Sequence, residues 1–141
     1  MKASAVDPDL WHFIWSDSEI AGLKHEGDTL ILRFAAASVS KPGGPSGYLS
    51  DIELIFHLDG PLTCSDSIGA NLPLTEFVGG VATGAIRHSG KLLKSLPLPS
   101  ALRHELDLDC RLISGSTLSL RTRSLQAIVA TSAVFRESWA C

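Results

Sequence analysis

Apolar residues recur at every second position in much of this chain, and this period limits the folds open to it more than any other feature. The segments "DTLILRFAA" (28–36) and "DIELIFHLD" (51–59) each place their aliphatic and phenylalanine side chains on one face. Successive side chains of a β-strand point to opposite faces of its sheet, so both segments are predicted to be strands with one buried and one solvated face. Strands of this kind belong to antiparallel sheets.

Glycine-containing turns separate the alternating segments and predict hairpins. The motif "HEGD" suits a two-residue loop formed by its Glu-Gly pair, which sets Leu23 opposite Leu30. The motif "HSGK" in the same way sets Ile86 opposite Leu93. Both registers place apolar side chains opposite each other, which favours these hairpins.

A third hairpin is predicted in the segment "ELDLDCRLISGSTLSLRTR". A three-residue loop over 114–116 pairs Asp109 with Arg121 and Asp107 with Arg123 on one face, and it forms two apolar pairs on the other face. A loop shorter by one residue would set acidic against apolar side chains on both faces. The charge pattern therefore favours the three-residue loop.

The whole chain is expected to form a single β domain over residues 1–141, because this length matches one ordinary domain. About eight strands joined by hairpins predict a mainly β fold, either an antiparallel two-sheet sandwich or a partly open barrel, with minor helix. Pro97 and Pro99 lack backbone donors and indicate a strand end or an edge strand. Residues 60–80 have no clear period, and we expect either a short strand or a helical turn near residues 74–78.

Charge and cysteine content argue against several classes of partner. The 12 Lys and Arg and 15 Asp and Glu give a net charge of −3 without a basic run, so nucleic acid is not expected as a partner. The N-terminus lacks the apolar segment of a signal peptide, and no stretch has the roughly 18 apolar residues that span a bilayer. Cys64, Cys110 and Cys141 lack the paired spacing of metal ligands. We therefore expect a cytoplasmic protein without membrane association, metal or cofactor.

No catalytic arrangement is recognisable in the sequence. The motif "GPSGY" around Ser46 is not a nucleophile elbow, because Tyr48 occupies the position of the second glycine. The acidic row Glu105, Asp107 and Asp109 faces arginines in the predicted hairpin, which indicates cross-strand ion pairs rather than a calcium site or an acid and base pair. We predict no catalytic residue.

The segment "WHFIWSDSEI" (11–20) has two interpretations. A short helix or turn over residues 10–15 would bury an aromatic cluster and close one end of a β core, and we favour this interpretation. The alternative is an exposed aromatic and acidic patch, the composition of a protein-binding hot spot. The candidate partner-binding residues are Trp11, Trp15, Asp17 and Glu19, together with Tyr48 in the neighbouring glycine-rich loop.

A ligand pocket beneath residues 60–80 is the alternative candidate site. It would be lined by His57, Cys64, Asp66 and His88. The two histidines lie near the ends of predicted strands and would converge if those strands were neighbours. Such a pocket would belong to a small-molecule-binding β-barrel or to an enzyme with an unrecognised site.

The segment "WSDSEIAGLKHEGDTLILRF" resembles the opening of several families of small bacterial β proteins, some of them assigned as immunity proteins of contact-dependent toxin systems. The segments "GKLLKSLPLP" and "FRESWAC" resemble uncharacterised proteobacterial proteins of similar length. The resemblance implies a bacterial cytoplasmic protein that binds another protein, and it carries over no catalytic residue. We therefore expect a noncatalytic interaction module whose partner is a toxin, another protein or a second copy in a homodimer.

Overall fold

The computed structural model describes residues 11–137. These residues form eleven β-strands and one turn of 3₁₀ helix over Leu74–Glu76. The strands are β1 (Trp11–Glu26), β2 (Thr29–Ser40), β3 (Ser46–Leu49), β4 (Ile52–Leu58), β5 (Thr63–Ser65), β6 (Gly79–His88), β7 (Lys91–Leu93), β8 (Ser95–Leu98), β9 (Ser100–Leu112), β10 (Thr117–Val129) and β11 (Phe135–Glu137).

Six strands close into an antiparallel barrel in the order β1-β2-β4-β10-β9-β6, with β6 returning to β1. The other strands extend this barrel: β3 and β11 continue from β2, β8 pairs with β1, β7 with β6, and β5 with β10. The expected mainly β antiparallel fold is confirmed, and the 3₁₀ turn is the one helical element among residues 11–137. The closed barrel replaces the expected two-sheet sandwich or partly open barrel, because β1 pairs with both β2 and β6.

The number of strands exceeds the expected eight because several strands are very short. Five of the eleven have only three or four residues, namely β3, β5, β7, β8 and β11. A segment of this length shows at most two alternations, so its period is too brief to mark it in the sequence. Residues 60–80 contain the helical turn expected near residues 74–78, as the 3₁₀ turn, and a short strand at a different place, β5.

The core fills the inside of the barrel with the apolar side chains of alternate strand positions. Phe13, Trp15 and Phe34 lie edge to face, with ring centroids 5.0 to 5.9 Å apart. Aromatic pairs in this geometry add stabilisation beyond that of their buried area. The segment that begins β1 therefore anchors the core, as the favoured interpretation predicted.

The predicted helix or turn over residues 10–15 is wrong for its described part, and Leu10 lies outside the described residues. β1 is extended from Trp11, and it bends where its register with β2 shifts between Ile14 and Glu19. At this bend Asp17 has a φ of 68°. The buried Ser18 hydroxyl donates to the Ile14 carbonyl at 2.8 Å and accepts from the Ser38 amide at 2.8 Å. Ser18 thus joins the bend to β2.

The β1–β2 hairpin has a different register from the predicted one. Leu23 pairs with Leu32 rather than Leu30, because the two-residue loop is formed by Gly27 and Asp28. Gly27 has a φ of 59° at the first loop position, where a type II′ hairpin turn favours glycine. The β6–β7 hairpin is as predicted, with Ile86 opposite Leu93.

The β9–β10 hairpin keeps the predicted loop length but shifts its position. Leu112 pairs with Ser116 through a hydrogen bond of 2.8 Å, so the loop covers residues 113–115 and ends at Gly115, whose φ is 98°. A three-residue hairpin loop favours glycine in this last, left-handed position. The shift pairs Asp107 with Arg121, and the two side chains form an ion pair at 3.0 Å.

This shift of register preserves the two faces of the β9–β10 hairpin. Leu118 lies opposite Cys110 instead of Leu112, and apolar side chains still face one another. A change of two positions in the pairing leaves each side chain on its original face. Asp109 faces Ser119 instead of Arg121, and the Ser119 hydroxyl donates to its carboxylate at 2.7 Å.

Proline is found at an edge of the sheet, as predicted. β8, which contains Pro97, forms one end of the sheet and pairs with the start of β1. Pro97 lies opposite His12, and Pro99 separates β8 from β9. An edge position tolerates proline because no second neighbour requires its missing amide donor.

Candidate interaction surface

The structure places Trp15 in the core and not in an exposed patch. Its side chain is 1% exposed and packs against Phe13 and Phe34. The position of Gly84 allows this packing, because a Cβ there would lie 2.6 Å from Trp15 Cγ. Trp15 therefore cannot contact a partner in this conformation, and its assignment as a partner-binding residue is corrected.

The other four residues of the predicted patch are at least partly exposed. Trp11 is half-buried and stacks on Phe135 with ring centroids 4.4 Å apart. Tyr48 is half-buried on β3, opposite Ser38 and Arg136. Asp17 and Glu19 are exposed, and Glu19 lies opposite Gly80 on the far side of the bend in β1. Glu19 is also opposite Ala36 on β2, and Ala36 lines a surface pocket together with Tyr48. The structure therefore places Glu19 and Tyr48 near one another on the outer face of the sheet.

The alternative pocket is also not assembled. Cys64 is buried and faces the core opposite Leu118, and burial raises the pKa of its thiol. The Asp66 carboxylate accepts hydrogen bonds from the amides of Ile68 and Ala70 at 3.0 and 2.9 Å, so its role is to hold its own loop. It does not join the other pocket residues.

His57 and His88, the two histidines of that pocket, are on strands that are not neighbours. His57 belongs to β4 and His88 to β6, and β10 and β9 lie between them. His88 Nε2 forms a hydrogen bond of 2.8 Å with the Arg103 carbonyl. Within residues 11–137 no three His, Cys, Asp or Glu side chains cluster closely enough to hold a metal ion.

Three exposed aliphatic side chains occupy loops that meet at one end of the barrel. Ile68 is 87% exposed, Ile113 is 75% exposed and Val78 is 44% exposed. We call these three residues the apolar cap. Isolated exposed apolar residues are ordinary, but grouped ones are typical of interaction sites.

Contacts between the loops place the members of the apolar cap at the same end of the barrel. The Ile113 amide donates to the Gly80 carbonyl at 2.9 Å, and Ile113 Cδ1 lies 2.9 Å from the position of a Cβ on Gly80. A Cβ on Gly115 would lie 2.8 Å from Ser67 Cβ, which shows that the loop of Ile68 touches the loop of Ile113. Val78 precedes this contact by two residues and is exposed beside it.

Acidic side chains border the apolar cap. Glu19 and Gly80 are partners in the β1–β6 register, so their side-chain positions share one face of the sheet. Because Ile113 covers the side-chain position of Gly80, Glu19 and Ile113 lie on the same side. Glu76 is exposed two residues before Val78. No Lys or Arg occurs between Asp59 and Arg87 in the sequence.

Arg111 is the cationic residue closest in sequence to Ile113. It is exposed on the outer face of β9, opposite Thr83 and Thr117. The rim of the apolar cap is therefore acidic on the β1 side and on the 3₁₀ turn, and the β9 side is basic, because Arg111 lines a surface pocket there together with Lys94.

Sequence reasoning missed the apolar cap because its members lie outside periodic segments. Ile68 and Ile113 each stand next to serine and glycine in a turn, in "SDSIGAN" and "LISGS". The sequence signal that could have indicated the cap is an isoleucine within such a turn, because turn residues are normally small or polar. The pairing of β5 with β10, which joins these turns, has no signal in either segment.

Comparison with known proteins finds no matching protein family, no matching curated protein and no matching solved structure. Residues 11–137 contain no helix that is long and apolar enough to cross a membrane.

Proposed function

We propose that this protein is a noncatalytic interaction module of the bacterial cytoplasm that binds a partner protein through the apolar cap. The observation that carries the proposal is the grouping of Ile68, Val78 and Ile113 in an exposed position on loops held by mutual contacts. Removing exposed aliphatic side chains from water in a complex is favourable by about 25 cal/mol per Å² of apolar area. A partner protein with an apolar patch of its own would bury these side chains.

The charges around the apolar cap favour a partner with basic residues at the edge of its contact surface. Glu19 and Glu76 are exposed at the rim. Charges at a rim mainly increase the association rate and select the partner, while the apolar centre contributes most of the affinity. The resemblance of the N-terminal segment to immunity proteins supports a toxin as this partner, since an immunity protein acts by binding and needs no catalytic group.

The four residues that suggested the small-molecule alternative do not meet in one pocket. The four residues of its pocket are divided between the core, a surface loop and two separated strands. The inside of the barrel is occupied by packed side chains. No described feature of this pocket favours a ligand.

The test compares two double variants with the unchanged chain. The cap variant carries Ile68→Ser and Ile113→Ser. The control carries Leu92→Ser and Val134→Ser, because Leu92 and Val134 are also exposed aliphatic residues, at 50% and 56%, but lie elsewhere on the barrel. All three chains are first compared by thermal unfolding, which should change little because the substituted side chains are exposed.

Binding is then measured with a photo-crosslinking amino acid at Thr75, which is exposed on the 3₁₀ turn three residues before Val78. The chains are expressed in a native bacterial host, and the crosslinked proteins are identified and quantified by mass spectrometry. We expect a specific crosslinked protein with the unchanged chain and the control, and at least about a tenfold loss with the cap variant. Equal crosslinking by all three chains, or crosslinks only to a second copy of this chain, would contradict the proposal.

A further inference from the structure

A groove crosses the outside of the barrel where β4, β10 and β9 lose their regular register. The pairing of β10 with β9 shifts between Thr122 and Ser124, and the pairing of β10 with β4 shifts at the same place. Arg123, which lies between these two residues, therefore has no paired residue in the register with either neighbouring strand. Bulges redirect side chains, and they are frequent beside functional sites.

The groove is lined by donor groups of three adjacent strands. One row across β4, β10 and β9 contains His57, Ser124 and Arg103. Gln126 lies two residues after Ser124 on β10, on the same face. The groove has a volume of about 540 Å³, and no carboxylate is among its lining residues. Its polar side chains provide two guanidinium groups, an amide, a hydroxyl and an imidazole.

The two arginines differ in their partners. Arg123 forms an ion pair with Asp28 and also donates to the Leu58 carbonyl at 3.4 Å. Arg103 forms no ion pair within residues 11–137. The Arg103 side chain is thus available to a ligand, while Arg123 is held in place beside it.

Backbone contacts fix the position of Arg103. Its carbonyl is bonded to His88 Nε2 at 2.8 Å, which ties the start of the β9 bulge to the end of β6. The next residue, His104, has a φ of 82°, a conformation that non-glycine residues rarely adopt. Such conformations persist where the surrounding structure holds them, and they are concentrated at functional sites.

We propose that this groove binds a phosphate-type oxyanion, meaning a tetrahedral group that carries two negative charges. Arginine forks match the spacing of phosphate oxygens, and amide and hydroxyl donors complete the contacts. Placement on strands of a closed barrel fixes these donors more firmly than a loop would. The inference goes beyond the proposed protein contact, because the groove and the apolar cap share no residue.

The site is tested by titrating the full chain with inorganic phosphate at constant ionic strength, with amide chemical shifts as the readout. We expect saturable shifts centred on Ser124 and Gln126. Arg103→Gln should weaken binding by about tenfold or more, because it removes the unpaired guanidinium. Arg33→Gln is the control, since Arg33 is an exposed arginine on β2 that contacts Asp51 instead.

A second variant should change the affinity in the opposite direction. Asp28→Asn removes the carboxylate that competes for Arg123, so phosphate should bind severalfold more tightly. Gain with Asp28→Asn and loss with Arg103→Gln cannot both arise from a general loss of structure. Shifts that do not saturate, or equal weakening by Arg103→Gln and Arg33→Gln, would overturn the proposal.

A phosphoserine peptide and its serine counterpart identify the source of the oxyanion. Binding of the phosphoserine peptide tighter than inorganic phosphate, with the same dependence on Arg103, indicates a phosphorylated protein. Equal affinity for both probes indicates a free phosphate compound. Binding of the serine peptide as tight as that of the phosphoserine peptide would overturn the proposal, because the phosphate group would then contribute nothing.

Discussion

Trp15 and Gly84 touch so closely that a Cβ at residue 84 would lie 2.6 to 2.8 Å from three atoms of the tryptophan side chain. β1 and β6 are joined by register only at Glu19 and Ile20, so this contact fills the space beside the bend of β1. Packing requires glycine at this position. Backbone conformation does not, since the φ of Gly84 is not in the left-handed region.

Gly84→Ala is therefore expected to destabilise the protein. The added methyl group must displace a fully buried indole in a packed core, and overpacking of this kind costs about 1–3 kcal/mol of unfolding free energy. Gly22→Ala is the control, since nothing lies within 4 Å of its Cβ position and its φ is not left-handed. Urea unfolding should show a lower midpoint for Gly84→Ala and little change for Gly22→Ala; equal midpoints would show that the indole moves without cost.

Ser18→Ala tests the hydrogen bonds that hold the bend of β1. The substitution leaves the Ser38 amide and the Ile14 carbonyl without the partner they share. A buried polar group left unsatisfied costs about 1–3 kcal/mol. Ser16→Ala is the matched control, because Ser16 is exposed two residues earlier. Thermal unfolding should separate the two variants, and amide exchange at Ser38 should increase only in Ser18→Ala.

Cys110 should remain protonated and unreactive in the folded protein at pH 9. Burial raises the pKa of its thiol to about 12, and the thiolate is the form that reacts. Iodoacetamide followed by peptide mapping should label Cys110 only after unfolding. Labelling of Cys110 in the native chain at the rate of a small-molecule thiol would contradict the burial of this side chain.

The same thiol makes stability depend on pH in the alkaline range. The unfolded thiol has a pKa of about 8.5, so above this pH the unfolded state loses a proton that the folded state keeps. The free energy of unfolding therefore falls between about pH 9 and 12, by at most about 1.4 kcal/mol per pH unit for this residue. Cys110→Ala should reduce this slope in urea unfolding between pH 8 and 10.5, while an unchanged slope would assign it to other groups.

Long periodic segments made most of the barrel predictable from the sequence. β2, β4, β9 and β10 show the two-residue alternation over seven or more residues, and all four are strands of the closed barrel. The alternation of Trp11, Phe13 and Trp15 also has this period, but the irregular register after Ile14 interrupts it. The short alternation at the start of β1 is therefore compatible with a helix or turn as well as with a strand.

The register of the β6–β7 hairpin was predictable in full, and the registers of the other two hairpins were predictable only to the correct face. Two of the three loops begin one residue away from the expected position. In each of them a glycine with positive φ, Gly27 or Gly115, occupies a different loop position from the expected one. The apolar cap was not predictable at all. Ile68 and Ile113 are distant in sequence, and they become neighbours through the β5–β10 pairing, which no local pattern encodes.

The closed barrel also sets the order in which the chain can become stable. The strands before residue 60 pair with one another, as do β6, β7, β9 and β10, so each half forms from local pairings. The two halves join through the pairing of Ile52 with Val129 and of Glu19 with Gly80. Such distant pairings carry a large entropic cost of loop closure and slow folding. During synthesis the free edge of β4 must therefore wait, unpaired, until β10 has left the ribosome.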